Sequence, residues 1–181
     1  MNIRSLILGI SAFAVVAAVA TWTYLALQRP AEKPLVANEL TPATRAAVDR
    51  FHDRGGKYIW GENDCSVFVL DFLKASGVPI KRRLTTKELY DLKIMAEHGY
   101  VAESAPAKVG DIVVFRYLAP RPAGHCGVVV EQGGEVKILH NAASMHGLVL
   151  ETVDEFLIRA EQFGAPRESV RLFRAKGPEK T

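Results

Sequence analysis

The N-terminal run from Ser5 to Leu27 is 23 residues long and contains no charged side chain. As a helix at about 1.5 Å per residue it would be about 35 Å long, which is enough to cross a hydrocarbon core of about 30 Å. The sequence therefore predicts a membrane-directed segment over residues 1–29. Trp22 and Tyr24 favour a retained anchor with interfacial aromatics, whereas the small-x-small pattern at residues 18–20 favours a cleaved signal peptide.

Both alternatives place the working protein in the cell envelope. A retained anchor would hold the folded domain in the periplasm or outside the cell, and a cleaved signal would release a secreted protein. Residues 30–40 carry two prolines without hydrophobic periodicity, which is typical of a linker. We expect one folded domain over residues 41–176 and a short tail over residues 177–181, since 181 residues is the length of one domain with an appendage.

The charge balance argues against a nucleic-acid-binding protein. The chain has 23 basic and 20 acidic residues, and its basic residues form no stripe interleaved with aromatic side chains. Hydrophobic residues make up 49% of the chain, which is within the range of ordinary globular proteins. We therefore expect a folded core and no nucleic-acid partner.

Helix signals precede most of the strand signals along the chain. Capping residues and glycine stops predict four helices: one from Pro42 to the Gly55-Gly56 pair, one over Cys65–Ala75, and one after each capping box at Thr85–Glu88 and Thr152–Glu155. Apolar runs rich in β-branched residues predict strands over residues 111–117, 126–131, 136–140 and 170–174. This order predicts an α+β domain in which N-terminal helices pack on a mostly antiparallel sheet.

Cys65 is the first candidate for chemistry. It begins a predicted helix directly after Asn63-Asp64, which can cap that helix. Its sulfur would then lie at the positive end of the helix dipole, where a thiolate is stabilised. The alternative is that Cys65 is a small apolar residue at the start of a buried helix.

Two histidines are candidate partners for this cysteine. His125 lies at the start of one predicted strand, and His140 ends the next strand after the Gly133-Gly134 turn. One imidazole could act as the base for the thiol while the second group fixes its tautomer and orientation. Asn141 competes with His140 for the orienting role, because a side-chain amide can do the same.

The segments YIWGENDCSVFV, VGDIVVF, GHCGVVVE and ILHNA together resemble the NlpC-type peptidase family of bacterial cell walls. This is a papain-like group of cysteine peptidases and amidases, and the resemblance covers about Lys57 to Ala142. It implies a papain-like fold and a Cys-His-His triad of nucleophile, base and orienting residue. The residues to which it assigns these roles are, in that order, Cys65, His125 and His140. It further implies that Tyr58 helps to hold the substrate or the oxyanion, and that Asp64 and Ser66 line the substrate cleft.

The resemblance implies hydrolysis of an amide bond in peptidoglycan stem peptides, with no metal or cofactor, by a protein that we take as a monomer by default. Two departures from the family pattern leave other functions open: Val67 stands where the family usually has glycine, and Cys126 follows the base histidine. The alternatives are a non-catalytic wall-binding or scaffold domain, and a cysteine amidase or acyltransferase for another envelope substrate. A Cys65–Cys126 disulfide remains a further possibility in an exported protein. Strand alternation favours Cys126 as a core residue on the face opposite to His125.

Overall fold

The computed structural model describes residue 35 and residues 39–104, 106–117 and 124–177. The predictions for the membrane-directed segment at residues 1–29, for most of the linker and for residues 178–181 lie outside this part of the chain. Within it, no helix combines the length and the apolar character needed to cross a membrane.

The helices begin at capping side chains. They are α1 (Pro42–Asp53), α2 (Cys65–Ala75), α3 (Thr86–Leu89), α4 (Leu92–Glu97) and α5 (Val153–Gln162). Thr41 caps α1 with its side chain, and Thr85 and Thr152 complete the capping boxes of α3 and α5. These three starts agree with the sequence prediction, because a capping side chain satisfies free N–H groups of a first turn through local contacts alone.

Within the described residues, six strands form one antiparallel sheet. They are β1 (Tyr100–Glu103), β2 (Ile112–Arg116), β3 (Gly124–Gln132), β4 (Glu135–Ala142), β5 (Gly147–Thr152) and β6 (Arg171–Ala175). Their order across the sheet is β1-β6-β2-β3-β4-β5, and every neighbouring pair is antiparallel. The predicted α+β domain with an antiparallel sheet is therefore confirmed.

The core lies on both faces of the sheet. Val128 of β3 belongs to the larger apolar cluster, together with Phe68 of α2, whereas the next residue, Val129, belongs to a second cluster with Phe156 of α5. This division follows from the alternation of side chains along a strand. Helices α1 and α2 thus cover one face, and α5 covers the other.

The structure adds α4, β1 and β5 to the elements predicted from the sequence. Helix α4 has six residues and is capped by Asp91, whose carboxylate accepts the N–H groups of Lys93 and Ile94. Strand β5 pairs with β4 along its whole length, so that His140 lies opposite Val149. The two short 3-10 helices are Ala143–Met145 and Arg167–Ser169.

Candidate active site

The start of α2 is held in place by the carboxylate of Asp64. Its Oδ1 atom accepts the N–H groups of Ser66 at 2.9 Å and Val67 at 3.1 Å, and Oδ2 accepts the N–H of Gly61 at 3.0 Å. Burial alone would raise the pKa of this carboxyl, but hydrogen bonds from the Ser66 hydroxyl and from the N–H groups of Val67 and Gly61, together with the nearby Arg83, lower it below its usual value. The cap is therefore charged, and it fixes Cys65 as the first residue of α2.

The sulfur of Cys65 lies among polar neighbours. Its side chain is 5% exposed, and Sγ is 3.8 Å from the hydroxyl oxygen of Thr86. A hydrogen bond from the Cys126 thiol and the adjacent His125 lower the pKa of Cys65 well below its usual range, against the opposing effect of burial. Burial and this same hydrogen bond raise the pKa of Cys126. The environment therefore favours a thiolate at Cys65 and a neutral thiol at Cys126.

His125 lies at the start of β3, between aromatic rings. It stacks on Phe156 of α5 with 5.8 Å between ring centroids, and it meets Phe115 of β2 edge to face. Its Nε2 atom is 2.8 Å from Nδ1 of His140. With Nε2 engaged in this way, Nδ1 is the ring nitrogen left to act on Cys65, and His125 lowers the pKa of that thiol.

The chain of contacts continues beyond His140. The Nε2 atom of His140 is 3.0 Å from Oε2 of Glu151, and the guanidinium of Arg159 binds the same carboxylate through Nε at 2.9 and 3.0 Å. Burial is the main cause that lowers the pKa of His140 to about 4. Burial would raise the pKa of Glu151, but hydrogen bonds from His140 and Arg159 lower it to about 2. Near neutral pH, His140 is therefore neutral and Glu151 is a carboxylate.

Asn141 does not contact His125. Its amide nitrogen donates a hydrogen bond to the carbonyl oxygen of Asn63 at 2.6 Å, and its side chain is fully buried. Neighbouring residues on a strand point to opposite faces, so Asn141 is turned away from the face that carries His140. Of the two candidates for the orienting contact, it is therefore His140 that lies next to His125.

Two cavities of about 310 and 260 Å³ flank the cysteine and the histidine. Both are lined by Tyr58, Trp60 and Gly124. The first also contains Cys65 and Arg83, together with Asp64 and Ser66, and the second contains His125 and aromatic side chains. Burial raises the pKa of the Tyr58 hydroxyl, with the nearby Cys65 as a further cause, so the phenol remains protonated and can donate a hydrogen bond. The predicted cleft residues therefore border two cavities that share three lining residues.

Asp64 and Ser66 have structural contacts as well as positions along this cleft. The hydroxyl of Ser66 donates to Oδ1 of Asp64 at 2.7 Å, and the guanidinium of Arg83 donates to Oδ2 through Nη2 at 2.8 Å. Both cysteines are buried free thiols rather than partners in a disulfide. Cys126 is fully buried and lies in the core cluster that includes Phe68 of α2.

Sequence reasoning did not identify Glu151 or Arg159 as site residues. Glu151 belongs to β5, a strand that was not predicted, and it reaches His140 only because β4 and β5 pair. Arg159 comes from the last turn of α5, eight residues further along the chain. The only available signal was a polar residue within the apolar run GLVLET, which does not by itself indicate a buried carboxylate.

A model of the NlpC/P60 family matches residues 55–167, which is more than half of the chain. No curated protein sequence matches this chain. Among solved structures, the crystal structure of Ly7917 aligns with 16% identity and a TM-score of 0.43, covering 78% of this chain and 63% of that chain. The crystal structure of Ly7917 with the hydrolyzing product of MDP aligns with 16% identity and a TM-score of 0.42, covering 74% and 63%. The chain therefore aligns with less than two thirds of the length of Ly7917.

Proposed function

The chain belongs to the NlpC/P60 family, and from this premise we propose that it is a cysteine peptidase or amidase that hydrolyses an amide bond in peptidoglycan stem peptides. One observation carries the proposal. Cys65 starts a helix beside His125, and the other ring nitrogen of His125 is engaged by His140 at 2.8 Å. A nucleophile, a base and a group that orients the base are the parts that covalent amide hydrolysis needs.

The first half of the reaction forms an acyl-enzyme. The proton of the Cys65 thiol passes to Nδ1 of His125, and the sulfur attacks the carbonyl carbon of the scissile amide. The tetrahedral intermediate then collapses as His125 gives this proton to the leaving nitrogen, which departs as a free amine. The thioester that remains joins Cys65 to the acyl part of the substrate.

The second half regenerates the enzyme. A water molecule gives one proton to Nδ1 of His125, and its oxygen attacks the thioester carbon. The carbon–sulfur bond breaks, and the proton on His125 returns to the Cys65 sulfur. One amide and one water have then become one carboxylic acid and one amine, and no external oxidant, reductant or metal is needed for this balance.

The oxyanion has candidate donors next to the sulfur. Asp64 accepts the N–H groups of Ser66 and Val67, which leaves the N–H of Cys65 as the first-turn donor beside the attacked carbon. The protonated Tyr58 hydroxyl borders both cavities and supplies a second donor. The two cavities that flank Cys65 and His125 would hold the acyl and amine parts of the peptide.

The N-terminal run Ser5–Leu27 supports a location in the cell envelope, where peptidoglycan is found. The protein would be anchored in the membrane with its domain in the periplasm or outside, or secreted after cleavage. Cys65, His125 and His140 all come from one chain, so a monomer can supply the whole proposed triad.

The experiment compares the full-length protein with Cys65→Ala. Each is purified in detergent under reducing conditions and incubated with isolated peptidoglycan, and released fragments are identified by mass spectrometry. We expect fragments from the wild type and none from Cys65→Ala, while Ser76→Ala at the opposite end of α2 remains active. If folded wild-type protein releases nothing and its Cys65 reacts no faster than a free thiol, the proposal is wrong and a non-catalytic wall-binding domain takes its place.

A further inference from the structure

We propose that Glu151 is a positioning residue that sets the protonation pattern of both histidines, and that Arg159 holds Glu151 in place for this task. The inference deepens the proposed function and rests on it, because the protonation pattern matters for catalysis only if His125 serves as the base. The assignment of protons follows from the series of contacts that links Glu151 to His140 and His140 to His125, which lies beside Cys65.

The first step is the contact between Glu151 and His140. A carboxylate only accepts hydrogen bonds, so the 3.0 Å contact from its Oε2 requires a proton on Nε2 of His140. Arg159 only donates, and its Nε and Nη2 atoms bind the carboxylate from the other side. Glu151 is 7% exposed, so solvent competes little with either partner.

The second step concerns the position of the proton on His125. A neutral His140 with its proton on Nε2 has a lone pair on Nδ1. The 2.8 Å contact between this nitrogen and Nε2 of His125 then requires that His125 donates. In its neutral form His125 therefore holds its proton on Nε2, and its Nδ1 lone pair is directed to the Cys65 side.

The opposite pattern would prevent the base from acting. If His140 held its proton on Nδ1, Nε2 of His125 would have to accept, and the proton of neutral His125 would lie on Nδ1. That nitrogen could then take no proton from the Cys65 thiol. Glu151 excludes this arrangement because a carboxylate facing an unprotonated Nε2 of His140 would form no hydrogen bond at a buried position.

A second buried carboxylate provides a matched comparison. Asp111 is 2% exposed and binds Arg174 through both oxygens, at 2.9 and 2.7 Å, in the same two-point arrangement. The carboxylate of Asp111 accepts hydrogen bonds from Arg174 and from the N–H of Lys108, and from no histidine among the described residues. Loss of its charge therefore tests the cost of breaking a buried carboxylate–arginine pair without touching the histidine chain.

The test reads the tautomers directly. Full-length Cys65→Ala protein is labelled with ¹⁵N-histidine, and long-range ¹H–¹⁵N spectra at alkaline pH identify the protonated nitrogen of each ring. We expect His125 and His140 both to hold their proton on Nε2. Addition of Glu151→Gln should give His125 a mixture of tautomers, because a side-chain amide can donate as well as accept. Asp111→Asn should leave both rings unchanged.

The same substitutions are then made with Cys65 present, and hydrolysis of soluble peptidoglycan fragments is measured. We expect Glu151→Gln to lower kcat on the order of 10²-fold, the lower end of what a positioned base contributes, with KM changed less than about threefold. Asp111→Asn should change kcat less than about twofold.

A proton on Nδ1 of either ring in the Cys65→Ala protein overturns the inference, and so do unchanged tautomers in the Glu151→Gln form. The first result needs no Glu151 variant, so the inference is tested even if Glu151→Gln does not fold. If the expected tautomers appear but the wild type cleaves no substrate, the proposed function is wrong while the assignment of protons holds.

Discussion

The Nε2 atom of His125 lies 2.8 Å from Nδ1 of His140, and both imidazoles pack against the ring of Phe156. The second imidazole is fully buried, so its position is set by the core of the domain rather than by solvent. His125 is thereby oriented before any substrate binds. If His125 acts as the base, as we propose, it needs no reorganisation during the reaction, which is the condition under which electrostatic catalysis is most effective.

The low pKa of Cys65 predicts selective alkylation at mildly acidic pH. A thiol with the ordinary pKa of about 8.5 is less than about 1% thiolate at pH 6. Because Cys126 and His125 lower the pKa of Cys65, we expect iodoacetamide to modify Cys65 at pH 6, whereas Cys126, with its raised pKa, stays largely unmodified. Peptide mass spectrometry after timed quenching measures both rates in one sample.

His125→Ala is the informative variant for this prediction. It removes the imidazole that stabilises the thiolate, so the pH at which Cys65 alkylation reaches half its maximal rate should rise. Equal modification of both cysteines at pH 6 in the wild type would contradict the pKa difference. An unchanged profile in His125→Ala would show that the histidine does not act on the sulfur.

Burial of His140 predicts a pH-dependent stability. Its pKa is about 4 in the folded protein and about 6.5 in an unfolded chain. Between these pH values the unfolded state binds more protons, so the free energy of unfolding falls as the pH drops from about 6.5 to 4. At about 1.4 kcal/mol per pKa unit, the full loss is about 3 kcal/mol.

Urea unfolding at pH 7, 6, 5 and 4 measures this slope. His140→Gln should be less stable at pH 7 but should show a flatter decline toward pH 4, because it has no imidazole at this position. The matched control is His52→Gln, which alters an exposed histidine of α1 and should keep the wild-type slope. The same decline in wild type and His140→Gln would exclude His140 as its source.

Local signals account for the parts of the fold that were predicted from the sequence. The caps at Thr41, Thr85 and Thr152 depend on contacts within four residues, so the sequence pattern contains them completely. The same holds for Asp64, which caps the helix that Cys65 begins. The nearness of His125 and His140 also follows from a short range of sequence, since a tight turn joins their strands.

Long-range pairing accounts for what was missed. The contact of Glu151 with His140 depends on the register between β4 and β5, which no local pattern specifies. Asn141 is a second example of a position that local sequence patterns do not specify. Alternation along a strand says that it and His140 face opposite ways, but the contacts of His140 with His125 and of Asn141 with Asn63 identify which of the two lies on the side of His125.

The close approach of β3 to β4 predicts that Gly127 accepts no side chain. A Cβ atom at this position would lie 2.8 Å from a side-chain carbon of Ile138, 2.9 Å from Cβ of His140 and 3.0 Å from the carbonyl oxygen of Leu139. Because two of these atoms are fixed by the β4 backbone, Gly127→Ala should displace His140. We expect a loss of about 1–3 kcal/mol in stability and a lower kcat.

Gly147→Ala is the control for this substitution. Its added Cβ would have no neighbour closer than 3.6 Å, which is an ordinary contact. Thermal unfolding and hydrolysis rates of the two variants should therefore differ clearly. If Gly127→Ala is as stable and as active as Gly147→Ala, the spacing between β3 and β4 does not constrain the position of His140.

The proposed division of roles between His140 and Asn141 predicts different kinetic effects. His140→Ala removes the partner of Nε2 of His125, so kcat should fall while KM changes little. Asn141→Ala removes the hydrogen bond to the carbonyl of Asn63, which lies next to the cap residue Asp64. That loss should cost about 1–2 kcal/mol of stability and raise KM by loosening the loop that carries Tyr58, with a smaller effect on kcat. Steady-state kinetics of both variants on the same peptidoglycan fragment separate the two effects. A larger drop in kcat for Asn141→Ala than for His140→Ala would assign the orienting role to the Asn141 amide instead.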